Sequence, residues 1–147
     1  MNLKFNKIFF IISLVLIILF IGCNNSQFQE VEFEEINMGC SQNVNQINSQ
    51  SEFELNGCSR FEFVDSQIVN NFELINFSKY TLLSQETTGS GCETHFIKNL
   101  KKDDQNKKII YTVTVEEIGS CEPLEFSKNW IITPKIPDNY IVEFYVK

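Results

Sequence analysis

Five residues of this chain carry a thiol: Cys23, Cys40, Cys58, Cys92 and Cys121. Thiols pair, bind soft metals, attack carbonyls or take up lipid, and spacing separates these uses. A zinc site asks for Cys and His at short intervals. Here the gaps are long, no C-x-x-C occurs, and the only histidine is His95. A Cys–His nucleophilic pair would have to use His95 with Cys92, and a Cys92 held in a disulfide could not attack. Glu116 and Glu117 are adjacent, so on a strand they point to opposite faces and cannot share a proton. The stretch TTGSGC, residues 87–92, is Gly-rich but lacks the Lys, the spacing and the following helix of a phosphate loop. No catalytic constellation, metal site or cofactor is expected.

The chain opens MNLKFNK, with Lys4 and Lys7, and runs apolar from Ile8 to Ile21, broken only by Ser13. At about 1.5 Å per residue that run reaches roughly 21 Å, short of the roughly 30 Å of a bilayer core. It suits the apolar region of a signal peptide. Leu19-Phe20-Ile21-Gly22-Cys23 resembles the lipobox of bacterial lipoproteins, with Phe20 where Leu is usual. The resemblance implies cleavage before Cys23 and lipid on its thiol. An uncleaved anchor helix, or an ordinary signal peptide without a visible A-x-A end, are the other readings. Several acyl chains on Cys23 would tether the following domain stably, where one chain would not.

With Cys23 set aside, four cysteines remain, enough for two disulfides in an oxidising compartment. Residues 92–121 read as a long hairpin. Asp103-Asp104-Gln105-Asn106 supplies turn chemistry, and Ile109 to Ile118 alternates with many β-branched residues. Folding that hairpin brings Cys92 to Cys121, leaving Cys40 with Cys58. In the loop-entropy model each bridge is worth roughly 3–4 kcal/mol.

The whole chain carries a net charge of −7, which argues against nucleic acid as a partner. From Asn24 to Ile75 there are nine acids and one base, Arg60. Lysines gather later, at Lys98, Lys101, Lys102, Lys107 and Lys108. They read as a solvated turn guarding a sheet edge, with docking to an anionic surface as the sharper alternative.

Residues 1–22 form the leader, 23–29 the anchor and a polar tether, and 30–147 one domain. Phe28 to Ile36 partly alternates, with Val31 and Phe33 on one face of a half-buried strand. GCSQNVNQINSQ reads as loop. Ser49-Gln50-Ser51-Glu52 has capping-box form and starts a short helix that Gly57 soon ends. RFEFVD, KYTLLSQETT, NWIITP and YIVEFYVK read as strands, with a break over Thr88–Gly91 and a turn at Pro137–Asn139. Ser66 to Ile75 fits either helix or strand. The fold expected is mainly β: a single antiparallel β-rich domain of about six to eight strands with room for one short helix, stapled by two disulfides. Trp130, Tyr80, Tyr111, Tyr140 and Tyr145 fall in its later part.

The segments Ile75-Asn76-Phe77-Ser78-Lys79-Tyr80-Thr81-Leu82-Leu83, Gly91-Cys92, Tyr111-Thr112-Val113-Thr114-Val115, Gly119-Ser120-Cys121 and Trp130-Ile131-Ile132-Thr133-Pro134-Lys135-Ile136-Pro137 resemble small lipoproteins of the Bacteroidota type. More distantly they resemble the C-terminal domain of the protease-complex-stabilising (PrcB-like) family. The similarity covers residues 75–147 and brings no catalytic signature. It implies a non-enzymatic envelope module that binds or stabilises a partner protein. Asn24 after the anchor resembles the pattern of outer-membrane sorting. Two other uses are open: a small-ligand or glycan site lined by Trp130 and the tyrosines, or a hydrolase inhibitor presenting the 101–108 turn.

Overall fold

A computed structural model of the chain describes residues 28–58, 61–63, 75–122 and 124–147. In chain order the elements are β1 (Gln29–Glu30), β2 (Glu34–Met38), β3 (Gln46–Ile47), α1 (Gln50–Leu55), β4 (Phe61–Phe63), β5 (Tyr80–Ser90), β6 (Glu93–Asp103), β7 (Lys108–Ile118), β8 (Leu124–Pro134) and β9 (Ile141–Val146). They form a four-stranded sheet, β1-β6-β7-β9, and a five-stranded sheet, β3-β5-β8-β2-β4. The mainly β fold with one short helix is as expected; β1 and β3 are two-residue bridges.

The centre is one long two-stranded ribbon folded onto itself. β6 pairs with β7 from Asp103↔Lys108 to Glu93↔Ile118. β5 pairs with β8 from Ser90↔Leu124 to Tyr80↔Pro134. Between these halves each arm turns a corner and passes from one sheet to the other. Gly91 (φ 128°) and Gly119 (φ 81°) make the turn, in a backbone region where a Cβ would be strained. The sequence break expected over Thr88–Gly91 narrows to Gly91, because Thr88, Gly89 and Ser90 stay in the β5 ladder.

Two apolar layers follow from this folding. Leu83, Leu100, Ile109, Tyr111, Val113, Ile131 and Ile136 fill the space between the sheets. Ile36, Ile47, Cys58, Leu82, Trp130 and Ile132 lie on the other face of the five-stranded sheet, beneath Phe53, Ile75 and Phe77. Strands β5 and β8 are thus covered on both faces over Thr81–Ser84 and Asn129–Thr133. That is why YTLL and NWIIT read as apolar runs rather than alternating strands.

Local signals explain the small elements. Ser49 caps α1, its Oγ accepting from the Glu52 N–H at 3.2 Å. Glu52 reaches back to the N–H of Asn48 at 2.6 Å, one residue before the cap, so the box closes in a shifted form. Gly57 (φ 60°) then turns the chain away.

Three expectations change. The strand expected over Phe28–Ile36 is two strands, because the chain crosses from the four-stranded sheet to the five-stranded one at residues 31–33. Val31 and Phe33 do share a face, both against the inter-sheet core. The strand expected at NWIITP begins earlier, at Leu124. The third change is one parallel pair, β7 with β9. β8 ends where β7 begins, at the hairpin-turn end, so a chain crossing there must run alongside β7 in the same direction. Of RFEFVD, only the strand Phe61–Phe63 is described; of Ser66–Ile75, only Ile75 is.

Candidate interaction surface

Both predicted disulfides are present. Cys92–Cys121 has its Cα atoms 4.7 Å apart and Cys40–Cys58 3.9 Å. Cys92–Cys121 lies at the ribbon's corner with both residues exposed, whereas Cys58 is buried. The Cys92 N–H also donates to the Ile118 carbonyl at 2.8 Å. Cys23 lies outside the described residues.

The other groups considered for chemistry are placed apart. His95 sits on the outer face of the four-stranded sheet, opposite Glu116, with Nε2 3.2 Å from Glu93 Oε1. Glu117 points the other way from Glu116. Its Oε1 accepts from the N–H of Ser90 at 2.6 Å and lies 3.1 Å from Ser90 Oγ, which latches the corner. Among the described residues no group of three or more His, Cys, Asp or Glu side chains is placed to hold a metal ion. No described helix is long and apolar enough to cross a membrane.

The aromatics divide in the same way. Trp130 is 1% exposed, with Lys128 Nζ 5.3 Å from its ring centroid. Its Nε1 has no hydrogen-bond partner among the described residues. Tyr111 is fully buried, and that burial pushes its phenol pKa far up. Tyr140 lies beneath the hairpin turn, donating to the Asp104 carboxylate. Lys102 and Lys107 stand 5.3 Å and 5.2 Å from its ring centroid. Trp130 and the tyrosines therefore do not converge on one exposed site.

The lysines are largely neutralised. Lys98 pairs with Glu35 at 2.6 Å, Lys101 with Glu30 at 3.1 Å, Lys102 with Asp104 at 2.8 Å and Lys108 with Glu143 at 2.6 Å. The turn they flank is tight, since the ladder holds up to Asp103↔Lys108. Asp103 accepts from the N–H and side-chain amide of Asn106 at 3.0 and 2.7 Å. The turn is braced by these pairs, with residues 104–107 exposed at its tip.

Among the described residues, strand β9 is open along its whole length on one side. It is the last strand of its sheet. The Ile141 N–H donates to Lys107 O at 2.9 Å, the Lys147 N–H to Val113 O at 3.0 Å, and Lys147 O accepts from Val115 N at 2.8 Å. In a parallel ladder alternate residues bond the neighbour, so Ile141, Glu143, Tyr145 and Lys147 face β7. Val142, Phe144 and Val146 turn their N–H and C=O to the open edge. Ile141 is 64% exposed, and Tyr145 and Val146 are each about half exposed. The strand has no proline, and its one interior charge, Glu143, is engaged by Lys108. The devices that usually blunt a sheet edge, such as inward charges, proline or bulges, are absent from it. A second apolar feature lies at the corner, where Phe126 is 77% exposed with Leu124 beside it in the strand sequence.

Neither feature was singled out in the sequence. YIVEFYVK shows only a strand; which strand ends a sheet depends on remote pairings. Comparisons with protein-family models, curated proteins and solved structures matched nothing.

Proposed function

We propose that this chain is an envelope protein, lipid-tethered through Cys23 and sorted to the outer membrane. In this reading it is non-enzymatic and binds a partner protein by accepting a strand at the β9 edge. The single observation that carries the reading is that edge: outward N–H and C=O groups at Val142, Phe144 and Val146 beside exposed apolar side chains. Strand addition takes affinity from the main-chain bonds and specificity from alternate side chains. The burial of Trp130 supports protein binding over a small-ligand or glycan site, since the indole does not line an open surface. The resemblance of residues 75–147 to partner-stabilising envelope domains points the same way.

The tether fits this arrangement. Gln29 pairs with Lys102 and Glu30 with Lys101, so the chain enters beside the hairpin turn. Cys23 lies six residues before Gln29, a reach of about 20 Å when extended. The turn end would sit near the bilayer and the Cys92–Cys121 corner away from it.

The test is affinity capture from envelope extract with three forms of the full chain: wild type, Val146→Pro and Phe126→Ser. Val146→Pro removes an outward N–H and leaves the β7 ladder untouched. The reading expects a protein recovered by wild type and Phe126→Ser and lost with Val146→Pro. Recovery of a glycan and no protein by wild type overturns it. Radiolabelled palmitate entering wild type and not Cys23→Ser tests the anchor.

A further inference from the structure

We infer that the strand which fills the β9 edge is β9 of a second copy of this chain, running antiparallel and centred on Phe144. The inference rests on the reading of β9 as a strand acceptor and names its occupant. Its basis is the self-complementarity of IVEFYVK, residues 141–147. In an antiparallel pair about a two-fold axis, opposite residues must share a sheet face, so the centre falls on a residue. Centred on Phe144, Val142 stands opposite Val146 of the second copy and Phe144 opposite its own counterpart. These are the outward-bonding positions, and each such pair exchanges both backbone hydrogen bonds.

The remaining pairs place Glu143 opposite Tyr145 of the second copy and Ile141 opposite Lys147 of the second copy. No like charges meet, and like charges directly opposite are destabilising. Glu143 and Tyr145 are already a compatible pair, since the Tyr145 hydroxyl donates to Glu143 Oε2 at 3.1 Å within one chain. Moving the centre to Glu143 sets two carboxylates face to face. Moving it to Tyr145 pairs only two of the outward-bonding positions among the described residues, Phe144 and Val146, where the Phe144 centre pairs all three. Phe144 is therefore the centre that joins two four-stranded sheets into one continuous sheet with its backbone groups used and its charges apart.

The pair would also cover apolar surface that each copy leaves open. Val142 and Phe144 are only partly buried against the inter-sheet core, and Val146 on the same face is about half exposed. An exposed sheet edge of this length and composition is a template for pairing, and two-fold pairs are the commonest closed homo-oligomers.

The experiment uses the full chain in detergent. Sedimentation of the wild type should show a dimer, and Val146→Pro should raise its dissociation constant about tenfold or more. Cysteine variants then read the register. In an antiparallel hydrogen-bonded pair the Cα atoms stand about 5.5 Å apart, within the roughly 4.4–6.8 Å that a disulfide spans. A Val142→Cys chain mixed with a Val146→Cys chain should cross-link under mild oxidation, and Val146→Cys alone should not. Phe144→Cys should link to itself. Since Phe144 also packs on Tyr111, the more exposed 142/146 pair decides if that variant folds poorly. A monomeric wild type, or a Val146→Cys chain that links to itself, overturns the inference. If the monomeric wild type still captures a different envelope protein and Val146→Pro loses it, the second copy is excluded while the strand-acceptor reading stands. If Val146→Pro changes neither capture nor dimer, the strand-acceptor reading fails as well.

Discussion

The phenol of Tyr111 on β7 donates a 2.9 Å hydrogen bond to the carbonyl of Asn129 on β8, tying the two sheets together through the core. The Asn129 side chain continues the tie, giving its amide to Thr87 Oγ1 at 2.7 Å and to Gln85 O at 3.2 Å. A buried network of this kind favours one packing of sheet on sheet, because a buried donor left unpaired by another packing is costly. Tyr111→Phe keeps the ring and deletes the bond. It should cost about 1–2 kcal/mol, read as a lower urea midpoint with an unchanged m-value. Tyr111→Ala adds a cavity beside Phe144 and should cost about 3–5 kcal/mol. Equal midpoints for wild type and Tyr111→Phe would show that the bond adds nothing.

The two disulfides should separate under limiting reductant. Exchange needs access to sulfur, and Cys92 and Cys121 are exposed while Cys58 is buried beneath the helix layer. Stepwise reduction followed by alkylation and peptide mapping should label Cys92 and Cys121 first. Replacing both with Ser should cost about 2–5 kcal/mol, since the bridge spans 29 residues and closes the ribbon's corner. Label arriving first on Cys40 and Cys58 would reverse the order argued here.

The corner also predicts an asymmetry between glycines. Gly119 sits at φ 81°, and a Cβ there would lie 2.7 Å from Cys92 Sγ. Gly119→Ala must therefore strain the backbone and push on the disulfide, and it should lower stability by more than about 1 kcal/mol. Gly39 has nothing within 4 Å of its would-be Cβ and no left-handed φ, so Gly39→Ala should stay within about 0.5 kcal/mol of wild type. Thermal melts of the two variants side by side make the comparison, and matching melting temperatures would contradict it.

Much of this fold is written in short-range signals, and the missing parts are long-range. The 92–121 hairpin was legible because Asp103–Asn106 carries turn chemistry and Ile109–Ile118 is β-branched. The pairing of its cysteines followed from that geometry. The fold-over at Gly91 and Gly119 was not legible, because a glycine announces a turn without saying which sheet the chain enters next. Leu124 and Phe126 hid the start of β8, since their apolar side chains are exposed and break the burial pattern. The parallel course of β9 depends on where β8 ends, far away in the chain. The candidate surface escaped for a related reason: an open edge is the lack of a neighbouring strand among the described residues, and no residue of YIVEFYVK encodes that lack.

The ion pairs beside β9 give the protein a mild dependence on pH at both extremes. Lys102 holds the Asp104 carboxyl below its ordinary range, with help from the Tyr140 hydroxyl, and Lys108 does the same for Glu143 with help from Tyr145. For a carboxyl whose folded pKa is lowered, the stabilisation is fully present above the unfolded value, near 4, and is lost as pH falls through the folded one. The Lys102 and Lys108 ammonium groups are raised by the same contacts, with Asp104 and Glu143 as the leading causes. Their share is present below about 10.4 and disappears as pH rises through the raised values. All four groups are solvent-accessible, so salt should screen the effect. Urea midpoints of wild type should therefore fall below about pH 4 and above about pH 10, more steeply at low salt. The double variant Asp104→Asn, Glu143→Gln should flatten the acid limb and leave the neutral-pH midpoint nearly unchanged. An acid limb as steep in the variant as in wild type would contradict the assignment to Asp104 and Glu143.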